Sequence, residues 1–136
     1  MIIYSGGEAD TERAGRELAA RLYPGAVVAL RGGLGAGKTV FTRGLARGLG
    51  VTARIVSPTF NIVNEYDGRL PLFHFDMYRI SGAEELFGIG FEEYLDRGGV
   101  VCVEWSELVA EVLPSDAVRV TIEITGGDTR KIKIDE

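Results

Sequence analysis

Gly32-Gly33-Leu34-Gly35-Ala36-Gly37-Lys38-Thr39 is the stretch of this chain whose residue types and spacing can do chemistry. It fits G-x-x-x-x-G-K-[ST], a phosphate-binding loop. Its glycines permit backbone angles that turn successive N–H groups toward one concave point, where they can hydrogen-bond phosphate oxygens. A helix starting near Lys38 adds the positive end of its dipole. Lys38 supplies a mobile ammonium for the terminal phosphates of a nucleotide, and the Thr39 hydroxyl is a hard oxygen suited to magnesium. The expected phosphate contacts are therefore Gly33, Leu34, Gly35, Ala36, Gly37, Lys38, Thr39 and Val40.

A loop of this kind works with a carboxylate near the metal, usually at the end of an apolar strand. Two acids qualify. Leu72-Phe73-His74-Phe75 ends in Asp76, and Val100-Val101-Cys102-Val103 ends in Glu104. Pattern alone does not say which would hold magnesium and which would align water. The chain contains no glutamine and no Asn-Lys-x-Asp guanine-reading tetrad. A Gln-oriented attacking water is thus excluded. A carboxylate, a hydroxyl such as that of Thr59, or a partner residue must take that task.

The elements that must position these groups can be read from periodicity. Ala14, Leu18 and Leu22 recur every four residues across Glu8 to Leu22, a helix with one apolar face, and Pro24-Gly25 breaks it. Ala26 to Leu30 is a continuous apolar run, the mark of a strand covered on both faces. The glycine loop follows, then a helix from Lys38 to about Leu49 carrying Phe41, Leu45 and Leu49. Phe60 to Tyr66 and Leu70 to Met77 read as strands joined at Asp67-Gly68. Short helices are expected over Ala83 to Phe87 and Phe91 to Leu95. Ser106 should open another with a capped first turn. Val118 to Ile124 and Lys131 to Ile134 flank Gly126-Gly127-Asp128 as a C-terminal hairpin. The fold expected is α/β, one domain over residues 1–136. It is a P-loop NTPase-like three-layer sandwich with a largely parallel central sheet and a C-terminal β-hairpin.

Composition narrows the function classes. Of 136 residues, 46% are hydrophobic and 26% charged, which excludes disordered and fibrous chains. No apolar run approaches the roughly 20 residues that span a bilayer. The start, Met-Ile-Ile-Tyr-Ser, has no signal-type core, and the lone Cys102 cannot form an internal disulfide. A soluble, cytoplasmic chain with no membrane contact is expected. Charge is partitioned: no acid occurs from Leu18 to Asn64, a stretch holding Arg21, Arg31, Lys38, Arg43, Arg47 and Arg54, although the net charge is −5. A local positive block suits a small anion, while the whole chain is poorly charged for gripping nucleic acid. Arg43 and Arg47 would form a solvated face or dock an acidic partner. His74 shares a strand face with Asp76 and would make a structural hydrogen bond. Cys102 and Trp105 read as packing residues.

With those residues located, the chain resembles the TsaE family, the ATPase component of bacterial tRNA threonylcarbamoyladenosine synthesis. The resemblance rests on Gly35-Ala36-Gly37-Lys38-Thr39, Val56-Ser57-Pro58-Thr59-Phe60, His74-Phe75-Asp76-Met77-Tyr78-Arg79, Gly90-Phe91-Glu92-Glu93-Tyr94 and Glu104-Trp105-Ser106-Glu107, in this order. It implies ATP on Lys38 and the loop, and magnesium on Thr39 and Glu104. Thr59 and Asp76 would lie in switch-like segments near the γ-phosphate, and adenine near Gly7 and Thr129. Gly33 stands where the family often has Asp. The partners implied are a carbamoyltransferase subunit and its companion subunit, which carry the tRNA chemistry, so that tRNA is met only indirectly. The function expected is slow ATP hydrolysis in support of that modification. The rival readings are a small P-loop kinase and a non-catalytic, nucleotide-gated binding module.

Overall fold

The computed structural model describes residues 1–58, 62–78, 83–88 and 90–136. In chain order its elements are β1 (Ile2–Ser5), α1 (Glu8–Ala19), β2 (Val27–Arg31), α2 (Lys38–Gly48), β3 (Val63–Tyr66) and β4 (Leu72–Asp76). There follow α3 (Ala83–Gly88), α4 (Phe91–Leu95), β5 (Val100–Glu104), a 3₁₀ helix (Ser106–Val112), β6 (Val118–Gly126) and β7 (Thr129–Asp135). The strands form one sheet in the order β1-β7-β6-β2-β5-β4-β3. The four at its centre, β6, β2, β5 and β4, run parallel. Antiparallel pairs close both edges, β7 with β6 and β1 on one side and β3 with β4 on the other.

The uninterrupted apolar runs of β2 and β5 follow from this placement, because each central strand is covered on both faces. On one face, Ala14 and Leu18 of α1 and Phe41 and Leu45 of α2 pack with Val28, Leu30 and Cys102. On the other, Val27, Phe73, Phe75, Val101 and Val103 meet Phe91 of α4 and Val109 of the 3₁₀ helix. Tyr94 adds edge-to-face contacts at 5.1 Å to both Phe73 and Phe75. The three-layer sandwich is therefore present. Full burial of Cys102 pushes its thiol up to about 12, which keeps it neutral as a core residue. Among the described residues, no helix is long and apolar enough to cross a membrane.

Three details depart from the sequence reading. β1 was not foreseen: only four residues long, with exposed Ile2 and Tyr4 alternating with partly buried Ile3 and buried Ser5, it is too short to declare itself, and pairing with β7 is what orders it. The segment from Ser106 is a 3₁₀ helix, broken at Val109 (φ −132°), without a side-chain cap. The chain enters it through Trp105 in the left-handed region (φ 58°), so Ser106 does not stand at the cap position. Finally, β3 begins at Val63. Phe60 and Asn61, expected in that strand, lie outside the described residues.

Helices α1 and α2 approach so closely that backbone meets backbone. A Cβ on Gly44 would sit 1.9 Å from the Glu12 carbonyl oxygen, and one on Gly15 would sit 2.2 Å from that of Phe41. Helix propensity favours alanine over glycine by about 1 kcal/mol. Here the clash prevails. Gly44→Ala is expected to lower stability by roughly 1–3 kcal/mol, the usual cost of overpacking, and to lower the thermal midpoint. Chemical denaturation measures it, and an unchanged or raised stability would show that the two helices are not in contact at Gly44.

Candidate functional site

Beyond the end of β2 the chain turns through the glycine loop and enters α2 at Lys38. Gly35 (φ 76°) and Gly37 (φ 106°) both occupy the left-handed region, where a Cβ would be strained. That conformation wraps the loop around one end of a cavity of about 460 Å³. Leu34, Gly35, Ala36, Gly37, Lys38, Thr39 and Val40 all line it. Gly33 does not line it, and the space around it is open, so a Cβ there would meet no neighbour.

Lys38 is only 6% exposed. Its Nζ donates to the carbonyls of Gly32 at 2.5 Å and Gly33 at 3.0 Å, and lies 3.9 Å from the centre of the Trp105 ring. Burial lowers its pKa from the ordinary lysine value, while the nearby carboxylates of Glu104, Glu107 and Asp76 oppose that shift. Trp105 is thus more than packing. Its ring forms a cation–π wall for the ammonium and meets Tyr78 at 4.9 Å on its other contact.

The parallel register brings the acids to the same cavity. Leu30 of β2 pairs with Glu104 of β5, and Glu104 pairs with Asp76 of β4. Both carboxylates line the cavity. Asp76 is half-buried and accepts the Tyr78 N–H at 3.0 Å. Thr39 Oγ1 lies 3.0 Å from Ser57 Oγ. The oxygens of Thr39, Ser57, Glu104 and Asp76 are hard donors of the kind magnesium takes, few enough to leave places for phosphate oxygens and water. Among the described residues, no cluster of three or more His, Cys, Asp or Glu side chains forms an all-protein metal cage. The donor set fits a metal shared with a phosphate ligand.

His74 makes the structural hydrogen bond expected of it, and its partner is Glu104. Nε2 of the fully buried ring meets Glu104 Oε2, while Nδ1 is buried with no hydrogen-bond partner. A carboxylate can only accept, so Nε2 carries the proton. A second proton on Nδ1 would be a buried, unpaired donor costing about 1–3 kcal/mol. The geometry thus assigns the ring hydrogen of the neutral tautomer to Nε2.

The remaining sequence candidates divide. Gly7 lines the cavity beside Glu8 and Thr11. Thr129 does not: its hydroxyl is used inside the hairpin turn, with Thr125 at 2.8 Å and the Gly126 carbonyl at 3.3 Å, and its neighbours Asp128 and Arg130 line the cavity instead. Thr59 lies outside the described residues. Arg43 and Arg47 are not a free docking face. Arg43 pairs with Glu12 at 3.2 Å and Glu8 at 3.7 Å, and Arg47 donates to the carbonyls of Val51 and Ala53 at 2.7 and 2.9 Å.

Arg130 was missed altogether. From β7 its guanidinium donates to the loop carbonyls of Ala36 at 3.0 Å and Gly35 at 3.1 Å. It also holds its own turn through Gly127 at 2.9 Å and Thr129 at 2.8 Å. One cation thereby ties the C-terminal hairpin to the carbonyls of the loop. No spacing in the sequence links residues 95 apart.

A family model described as "Threonylcarbamoyl adenosine biosynthesis protein TsaE" matches residues 5–132. The chain belongs to the TsaE family. It is 45% identical over 124 residues to the tRNA threonylcarbamoyladenosine biosynthesis protein TsaE of Bacillus subtilis, covering 90% of this chain and 77% of that one. It is 42% identical to the TsaE of Treponema pallidum, covering 92% and 93%. A crystal structure of Bacillus subtilis YdiB superposes with a TM-score of 0.85 at 38% identity, over 98% of this chain and 83% of that one. The TsaE match takes in every element of the cavity, from Gly7 to Arg130.

Arg130→Ala should leave the fold in place and loosen the loop. Nucleotide affinity is expected to fall about tenfold, equivalent to about 1.4 kcal/mol. Calorimetry with magnesium and ATP measures it, and parental affinity would show that the loop holds its shape without the hairpin.

Proposed function

We propose that this chain is a magnesium-dependent ATPase that binds and slowly hydrolyses ATP to support threonylcarbamoyl modification of adenosine in tRNA. The observation that carries the reading is Lys38: a buried ammonium at the head of α2, in one cavity with the glycine loop and with Glu104 and Asp76. Phosphate oxygens would compete with the Gly32 and Gly33 carbonyls for that ammonium. Thr39 and Glu104 would hold magnesium, whose charge when bound neutralises the β- and γ-phosphates. Trp105 and the loop shield Lys38 from water, which strengthens its attraction to an entering anion. Asp76, held through the Tyr78 N–H, is the acid placed to orient an attacking water.

A P-loop chain lacking an arginine finger hydrolyses slowly alone, and one supplied in trans can contribute on the order of 10³–10⁵ in rate. That supports a partner-stimulated enzyme acting with a carbamoyltransferase subunit and its companion. The net charge of −5 argues against tRNA being gripped directly. With Arg43 and Arg47 occupied by internal partners, their charge reversal would test helix packing rather than docking.

A charge pair at ~4 Å with an effective dielectric of ~20 is worth about 4 kcal/mol before desolvation. Lys38→Ala is accordingly expected to weaken magnesium-ATP binding ten- to a thousandfold by calorimetry, and Glu104→Gln to abolish turnover with the fold intact. Turnover of the parent should be feeble alone and rise with the two partner subunits and tRNA present. Unchanged ATP affinity in Lys38→Ala would defeat the reading. A phosphorylated product in place of free phosphate would favour a kinase, and tight ATP binding with no turnover beside the partners a gated binding module.

A further inference from the structure

Glu104 is the most deeply buried acid of the cavity, at 3% exposure, and a side chain in its position needs something to hold it. Its strand neighbour supplies that. His74 lies one pleat before Asp76 on β4, paired with Cys102, so its ring stands over β5 two residues before Glu104 and reaches the Oε2 of that carboxylate. Both side chains are locked in the core, and the ring has no second hydrogen bond to satisfy by turning elsewhere. Resting on the ATPase reading above, we propose that His74 is a positioning residue for the metal: its Nε2–H holds one oxygen of Glu104 and leaves the other for the cation.

The arrangement inverts the common carboxylate–histidine–metal relay. There the acid orients a ligating histidine, whereas here the histidine orients a ligating acid. Outer-sphere partners of this kind change metal affinity by roughly 10–100-fold. They act on the metal and not on the loop contacts that hold the phosphates. The consequence is a separation of effects: loss of the Nε2–H should raise the metal concentration required, with nucleotide affinity in the absence of metal unchanged.

The chain has a single histidine, so its ring nitrogens can be observed directly by ¹⁵N NMR in the parent protein. The expected spectrum shows a protonated Nε2 and a bare Nδ1. Magnesium added with a non-hydrolysable ATP analogue should shift the Nε2 signal, and the same analogue in EDTA should not. A protonated Nδ1 with a bare Nε2, or an Nε2 signal indifferent to magnesium, would overturn the proposal. In parallel, Mn²⁺ binding to the analogue complex is followed by EPR in the parent, His74→Leu and His74→Gln. His74→Leu should bind Mn²⁺ about 10–100-fold more weakly, and His74→Gln, which keeps an N–H near the Nε2 position, should recover most of the loss. Affinity for the analogue in EDTA should be equal in all three. Parental Mn²⁺ affinity in folded His74→Leu would overturn the inference alone. A parent that binds neither analogue nor Mn²⁺ would overturn the ATPase reading and this inference with it. If His74→Leu does not fold, the parent's spectrum and His74→Gln decide.

Discussion

One row across three parallel strands fixes the site. Leu30, Glu104 and Asp76 are aligned on β2, β5 and β4, so that the strand feeding the loop and the two strands ending in acids terminate at the same level. A one-residue slip in either pairing would turn an acid to the opposite face of the sheet. The register is held because the row lies beside a core that tolerates no exchange of faces. Val101 and Val103 pack with Phe91 and Val109 below, while Cys102 packs with α2 above. Burial of apolar side chains thus determines where two carboxylates point.

The sheet's polarity adds the second half of the geometry. Ligands of open α/β sheets gather beyond the carboxyl ends of the parallel strands, where the connections to the helices open. Helix α2 starts at that edge with its N–H groups free, and the backbone contacts at Gly15 and Gly44 press it against α1. The C-terminal hairpin closes the outer side, with Arg130 linking β7 to the loop that follows β2. Residues near both ends of the chain therefore meet around Lys38.

Legibility in the sequence followed range. The loop, the strand-end acids and the buried strands each declare themselves within a dozen residues, by fixed spacing or by an apolar run, and the structure brings Lys38, Thr39, Asp76 and Glu104 together. Groups whose role depends on a distant partner were not legible. Arg130 is an ordinary hairpin cation until the loop 95 residues away is placed against it. Arg43 and Arg47 look like free charge until α1 supplies Glu8 and Glu12 to the first and the turn after α2 supplies carbonyls to the second. His74 could be assigned a hydrogen bond from its position, but its partner became evident only through the β4–β5 register. Trp105 shows a different limit, because no local pattern signals a tryptophan in the left-handed region.

The charge balance around Lys38 decides what kind of ligand the cavity is made for. A buried ammonium is costly unless it is compensated, and here two carbonyls, an aromatic face and three carboxylates share the compensation. One of those acids, Glu107, also pairs with Arg31 at 4.0 Å, while Glu104 and Asp76 line the space a phosphate would enter. A bare triphosphate would be drawn to Lys38 and repelled by those two acids. A divalent cation removes the conflict, since the carboxylates that repel phosphate are the groups that attract the metal. On the ATPase reading, the acids are therefore selective as well as catalytic: they make the cavity complementary to a metal–nucleotide complex and a poor host for the free nucleotide.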